Sequence, residues 1–390
     1  MRNRIFRVRP LLLWSCTVLI SGLAATSAWA TPQPIDTNAP YYPSSGLGTS
    51  VLPDFQGGTL RIDQSGATYN QDFTVENFSG NTIDFFGHSV TLSGVLSGAG
   101  GLTLRDSTTS FNRLTLTGSN TYTGLTTLVG STLVVGNGGT TGSIAGDVTY
   151  EDAVWICNGQ PCVYTVSIPG VMFNRSDTIV YSGNYLNQST GSGTLFQAGT
   201  GTLVLTGTVT SLAWITNGGT IQIGNGGTTG SIVGNIFANG TLAFNRSDAY
   251  AFAGTIWGTG AVRVVGGNNV ILTGNNTYAG GTTIQDGILQ IGSGGTTGSI
   301  LGDVVDNGTL VFDRYDAYTF AGTISGTGAV QLKRGNNLVM AGNNTYTGGT
   351  TVIGSTLQIG NGGTLEQTPV NPVRTRRERR SLCSVLAGMF

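Results

Sequence analysis

Asp303, Asp306, Asp313 and Asp316 fall within one short stretch and are the densest group of side chains in the sequence that could do chemistry. Clustered carboxylates can hold a calcium ion or divide general acid and base duties, provided that neighbouring elements bring them together. The same stretch occurs once before, with Asn235, Ala238, Asn245 and Asp248 in those places. The acid group is thus confined to one copy, and solvated turn aspartates are the expected reading. A β-helical polysaccharide lyase or hydrolase working through Asp313 and Asp316 is the alternative.

His88 is the only histidine, so any Ser-His-Asp or Cys-His arrangement must use it. It stands in IDFFGHSVTL beside a strand pattern, no G-x-S-x-G elbow is present, and a turn or edge position is expected. Cys157 and Cys162 flank the turn sequence Asn-Gly-Gln-Pro, which in an exported chain reads as a local disulfide. Zinc would need two further ligands, and the remaining candidates, Cys383 and His88, are remote. GNGGTTG lacks the lysine and following helix of a phosphate loop. No catalytic, cofactor-binding or metal residue is assigned.

The elements that would position these residues are copies of one unit. VVGNGGTTGSIAGDV from Val134 returns as QIGNGGTTGSIVGNI from Gln222, as QIGSGGTTGSILGDV from Gln290, and in part as QIGNGGT from Gln358. Gly224, Gly292 and Gly360 stand at equal intervals, whereas the interval from Gly136 to Gly224 is longer, with an insertion between about Thr149 and Pro169. NGTLAFNRSDAYAFAGTIWGTGAV from Asn239 likewise returns as NGTLVFDRYDAYTFAGTISGTGAV from Asn307. Such self-similarity marks a chain that stacks rather than one that folds round a single centre.

Between the copies run short apolar-polar alternations such as SVTLSG at Ser89, RLTLTG at Arg113 and GTLVLTG at Gly201, bounded by Gly or Asn, which is the strand pattern. The 63 glycines and 9% charged residues suit stacked coils, because turns need left-handed backbone angles and like charges repel at strand spacing. An all-β parallel β-helix of about 13 coils follows, with three coils of roughly 20 to 25 residues in the 68-residue unit. The glycine-rich phrase is expected to be the turn between coils.

Residues 1–30 combine arginines, an apolar run from Leu11 to Leu23 and Ala28-Trp29-Ala30, so a secretory signal cleaved after Ala30 is expected. A Pro-rich linker over 31–56, a solenoid over 57–364 and an aberrant basic tail over 365–390 complete the expected organisation. The tail breaks off in mid-repeat and packs five arginines into seven residues; the expectation is a frameshifted or truncated reading frame, with a basic arm as the other reading. Between Thr31 and Thr364 there are nine basic and 17 acidic residues, which leaves no nucleic-acid footprint.

The run LSGAGGLTLRDSTTSFNRLTLTGSNTYTGLTTLVGSTLVVG from Leu96, with GNNTYAGGTTIQDGILQIG at Gly274 and GNNTYTGGTTVIGSTLQIG at Gly342, resembles the autotransporter-associated β-strand repeat. The resemblance implies a right-handed parallel β-helix (β-solenoid), the passenger of a type V secreted protein, delivered to the cell surface with an outer-membrane translocator barrel as partner. No barrel follows Thr364 in this sequence. Adhesin, stalk and protease-bearing passengers share this scaffold, so the resemblance sets architecture and route rather than activity. By analogy a structural or adhesive role is expected, without catalysis, through many shallow contacts with host-surface or glycan ligands or by self-association. Without a translocator the exported chain would stay periplasmic, and a non-functional truncated fragment is a further alternative.

Two recurring phrases remain. Arg175, Arg246 and Arg314 each precede an aspartate two positions on and are expected to form turn pairings of little energetic worth. Tyr122, Tyr278 and Tyr346 of the NTY phrase could be sugar-stacking platforms, but aromatic stacks covering coil ends are expected.

Overall fold

The structure is a computed structural model. It describes residues 33–43 apart from 39, and 53–360 apart from 109–111, most of 152–169, 188–192, 217, 268 and 336, together with two short strands beyond 360. The expected signal, 1–30, lies outside the described residues, as does nearly all of the tail.

Alternation decides which side chains turn inward. In Leu102–Arg105 the two leucines are buried and Arg105 is exposed, and in Leu212–Ile215 Ala213 and Ile215 are buried between half-buried Leu212 and Trp214. Such strands cannot bury a face alone, so each lies parallel to the equivalent strand of the next coil. Among the described residues the ladders are parallel except for one hairpin.

Three faces result, over about 14 turns. Face one begins at Gln33–Ile35, which pairs with Pro53–Phe55; Pro34 sits on a terminal strand, where a missing donor costs least. It continues through Leu96, which accepts from the Thr121 amide, and through the Ser119–Ser143 bridge, to the ladder from Thr178–Tyr181 to Ile324–Ser325. Face two runs from Thr68–Tyr69 to Ile256–Trp257, on through the Asn275–Ser299 bridge, then from Ala317–Phe320 to Thr356–Ile359. Face three runs from Thr59–Arg61 to Ser231–Ile232, then from Ala249–Phe252 to Thr350–Val352. Leu, Ile, Val and Phe from all three faces form one continuous core down the axis.

Coil length varies. The coil that carries the chain from Leu195 to its axial neighbour Ala213 is shorter than the one before it, from Val171 to Leu195. Leu133 lies opposite Val171, and that coil carries the insertion. There Trp155–Cys157 and Gln160–Cys162 form an antiparallel hairpin, with Cys157 opposite Gln160 and Cys162 opposite Trp155. The cysteine side chains, and with them the expected disulfide, lie outside the described residues.

The copied unit is not three coils, as expected from the sequence. From Ile236 the axial neighbours are Ile256, then Asn276, whose side chain accepts from the Ile256 amide, then Ser299. Val304, the copy of Ile236, comes after Ser299, at the next strand position, and belongs to face one rather than face two. The copied unit therefore spans ten strand positions, three and a third coils. The longer first unit also spans ten, because the insertion lengthens one connection without adding a position. Gly136 leaves face two, Gly224 leaves face one and Gly292 leaves face three. Each copy is thus advanced by about 16 Å and turned by a third of a revolution. Unequal coil lengths hid this from a division of the repeat by a mean coil.

Candidate functional site

The four aspartates do not converge. Asp303 is exposed and accepts the Thr323 amide of the next coil at 2.8 Å. Asp306 points into the core and is fully buried, one carboxylate oxygen accepting the Gly308 amide at 3.0 Å and the other lacking a partner. Burial pushes its pKa up to about 6. Asp313 lies on the outer side of face three under Arg334 Nε at 3.2 Å, with Gln290 Nε2 at 3.3 Å. Asp316 pairs with Arg314 at the next corner. A sheet separates the inner carboxylate from the outer ones, and among the described residues no three His, Cys, Asp or Glu side chains assemble as metal ligands.

His88 occupies a turn, as its sequence context suggested, with its amide donating to the Phe85 carbonyl at 2.9 Å. Two buried aspartates from adjacent coils hold that turn. Asp84 accepts the Phe86 amide at 3.2 Å and Asp106 the Gly87 amide at 3.0 Å, which sustains the left-handed φ of 45° at Phe86.

The Arg-x-Asp phrase is more than a local pairing. Arg246 meets Asp248 through Nε and Nη2, both at 2.8 Å, and its guanidinium also donates to the carbonyls of Thr228 and Gly230 in the preceding GNGGTTG loop. Arg175 does the same for Thr140 and Gly142, and Arg314 for Thr296 and Gly298. The guanidiniums of Arg246 and Arg314 lie over Tyr250 and Tyr318, at 5.0 and 4.9 Å from the ring centroids. The Arg246 hydrogen bonds hold the Asp248 carboxyl below its ordinary range. Each loop is therefore clamped at its base by the next coil while residues 137–141, 225–229 and 293–297 face mainly outward. Gly230 is required in the loop: its φ is 94° and a Cβ would lie 2.2 Å from the Leu205 carbonyl oxygen.

Because the arginine is almost buried, its loss strands loop carbonyls instead of merely freeing a surface charge. Arg246→Ala is expected to cost about 1–3 kcal/mol and to open the 224–230 loop to protease. Arg246→Lys, without the fork, recovers only part of this. Limited proteolysis with mass mapping of the cut site checks both.

The NTY phrase also serves the interior. Tyr122, Tyr278 and Tyr346 are buried inside the coils, neither platforms nor covers of the coil ends, and each hydroxyl meets a threonine four residues on. Burial pushes the Tyr122 hydroxyl up to about 12. Asn120, Asn276 and Asn344 complete the set: their side-chain oxygens accept the amides of Leu96, Ile256 and Ile324 at 2.8 to 2.9 Å, capping the coil before.

One surface feature escapes the repeat altogether. On face two, Phe196, Trp214, Phe237 and Trp257 occupy successive outward positions, with ring centroids 5.6, 5.1 and 5.9 Å apart. Only pairing register unites them, because their sequence separations differ and the copied positions of Phe237 and Trp257 are Val305 and Ser325.

The result is a parallel coil scaffold with capped turns and outward loops. The model of the passenger-associated transport repeat matches residues 112–135, 263–291 and 335–359. Three segments of the solenoid thus match passenger-associated transport repeats, and these segments contain the Asn–Tyr–Thr sets just described. Over 129 residues the chain is 36% identical to the adhesin BmaC autotransporter of Brucella suis biovar 1 (strain 1330). That similarity covers 33% of this chain and 4% of the relative, so the chain matches only a small part of that protein's length. No solved structure matches.

Proposed function

We propose that this chain is an adhesive passenger, a non-catalytic rod that reaches the cell surface by type V secretion after export across the inner membrane. An outer-membrane translocator domain would be its partner in transport. The observation that carries this reading is the coincidence of passenger repeats with loops clamped at their bases and held outward on successive edges of one rod. Three near-identical, uncharged loops favour a multivalent grip, in which each contact is shallow and affinity comes from number. The adhesin relative supports the same reading, and the dispersal of the four aspartates removes the motive for a lyase.

Full-length chain coupled to beads is expected to retain cultured epithelial cells or surfaces coated with their extracellular matrix, saturably and more strongly as coating density rises. Retention no greater than that of uncoated beads at every density overturns the proposal.

A further inference from the structure

We infer that the aromatic column on face two is a binding strip for an uncharged glycan chain. This names a ligand for the adhesive reading and rests on it only for its biological use. The four rings are Phe196, Trp214, Phe237 and Trp257, carried outward while Leu195, Ala213, Ile236 and Ile256 point into the core from the same four strands. Their spacing of 5.1 to 5.9 Å follows the stacking of the coils and is comparable to the length of one pyranose ring in an extended chain. Phe196 is nearly buried at the end of the column, and the three half-buried rings are tilted by 50° and 55° to one another. A polysaccharide lying along the axis would thus meet Trp214, Phe237 and Trp257, about one per sugar, its C–H groups against the faces and edges they present.

The borders of the strip suit the hydroxyl groups of such a ligand. On one side, two positions along the strands, stand Ala198, Thr216, Asn239 and Thr259; on the other stand Thr194, Leu212, Asn235 and Thr255. Asn235 and Asn239 spend their side-chain oxygens on the amides of Thr255 and Thr259, which leaves their amide N–H groups to serve a ligand. Within the strip the Trp214 indole nitrogen is covered by its neighbours yet has no acceptor, an unspent donor that a small shift of the ring would present to a sugar oxygen. Across these strands the rings and their borders include no Asp, Glu, Lys or Arg. That neutrality disfavours an anionic glycan, which would call for basic residues, and favours an uncharged one.

The other occupant of such a column would be a second copy of this chain, stacked ring against ring. Two features argue against it. Ring centres already within 6 Å of one another on the same chain meet edge-on in one pair and tilted in the other two, which satisfies part of their mutual preference internally. Apart from Leu212 and Ala198 the borders are polar, and the side-chain amides of Asn235 and Asn239 beside Phe237 are unspent.

Binding of full-length chain to a soluble neutral β-glucan, followed by tryptophan fluorescence and by calorimetry, tests the inference, with dextran sulfate as the anionic control. The neutral glucan is expected to bind and to change the emission. The double variant Trp214→Ala and Trp257→Ala should lower its affinity at least tenfold, whereas Trp214→Phe with Trp257→Phe should keep most of it. Far-ultraviolet circular dichroism reports that each variant is folded, and the phenylalanine pair preserves the test if the alanine pair is not. Absence of neutral-glucan binding, binding indifferent to the alanine pair, or a preference for dextran sulfate overturns the inference. So does sedimentation of the wild type as a dimer that the alanine pair makes monomeric. Cells held by a chain that ignores the glucan would overturn this inference alone, and glucan bound by a chain that ignores cells would overturn only the adhesive reading.

Discussion

Asp306→Ala is expected to stabilise the folded chain at neutral pH, with the gain vanishing as the solution is acidified toward about pH 4. The carboxyl lies wholly inside the solenoid with one oxygen unpartnered, and the corresponding place in the previous copy holds the equally buried Ala238. A Cβ on Gly328 of the next coil would fall 2.4 Å from this carboxylate, so there is no room for water to soften its burial from that side. Burial raises the folded-state pKa from 3.8 to about 6. The native state therefore holds the proton more tightly than the unfolded chain does, and folding loses stability as pH rises between those values. The loss, on the order of 2–3 kcal/mol above pH 6, is absent below pH 4. Urea unfolding of wild type and variant from pH 4 to 8 checks this: wild-type stability should fall across the interval while the variant's stays nearly level. A wild-type profile that rises through the same interval contradicts the buried, unpartnered carboxylate.

Phe312→Ala is expected to lower stability by about 3–5 kcal/mol. The ring is fully buried and stands 5.9 Å from both Tyr318 and Phe320, so its removal empties the corner that joins face three to face two. Coil pairs Leu310–Val330 and Leu289–Leu310 run through the same strand, and both neighbouring coils lose a packing partner at once. In a stack held by nearest-neighbour contacts, the break is felt beyond its own coil. The urea midpoint should drop, and hydrogen exchange should accelerate first in the strands flanking residue 312. Phe312→Leu, which refills much of the volume, should cost markedly less.

Strand character was legible because alternation follows from a strand's period of two, and RLTLTG or GTLVLTG can hardly be read otherwise. The passenger-type resemblance was legible for a related reason: its signature residues, such as Asn276, Tyr278 and Thr282, are a hydrogen-bonded set that any such coil must repeat. What the sequence hid depends on register. In Val304-Val305-Asp306 either parity looks plausible, and only pairing with Ile324 and Ser325 fixes Asp306 inside. The reach of Arg246 to Thr228 and Gly230 crosses a corner whose shape local spacing does not reveal. Phe196, Trp214, Phe237 and Trp257 share no phrase, and repetition marks out instead the tyrosines, expected to cover coil ends and found inside them.

A duplication that advances ten strand positions acts as a screw operation on a three-sided prism, and this gives the molecule two kinds of symmetry at once. Seen end-on, the clamped loops at 137–141, 225–229 and 293–297 stand at three different compass points, so a surface approached at any roll angle finds one of them. The aromatic column keeps a single bearing. Rolling the rod leaves the first set of contacts available and switches the second on or off, which makes azimuth itself a variable in what the protein can grasp.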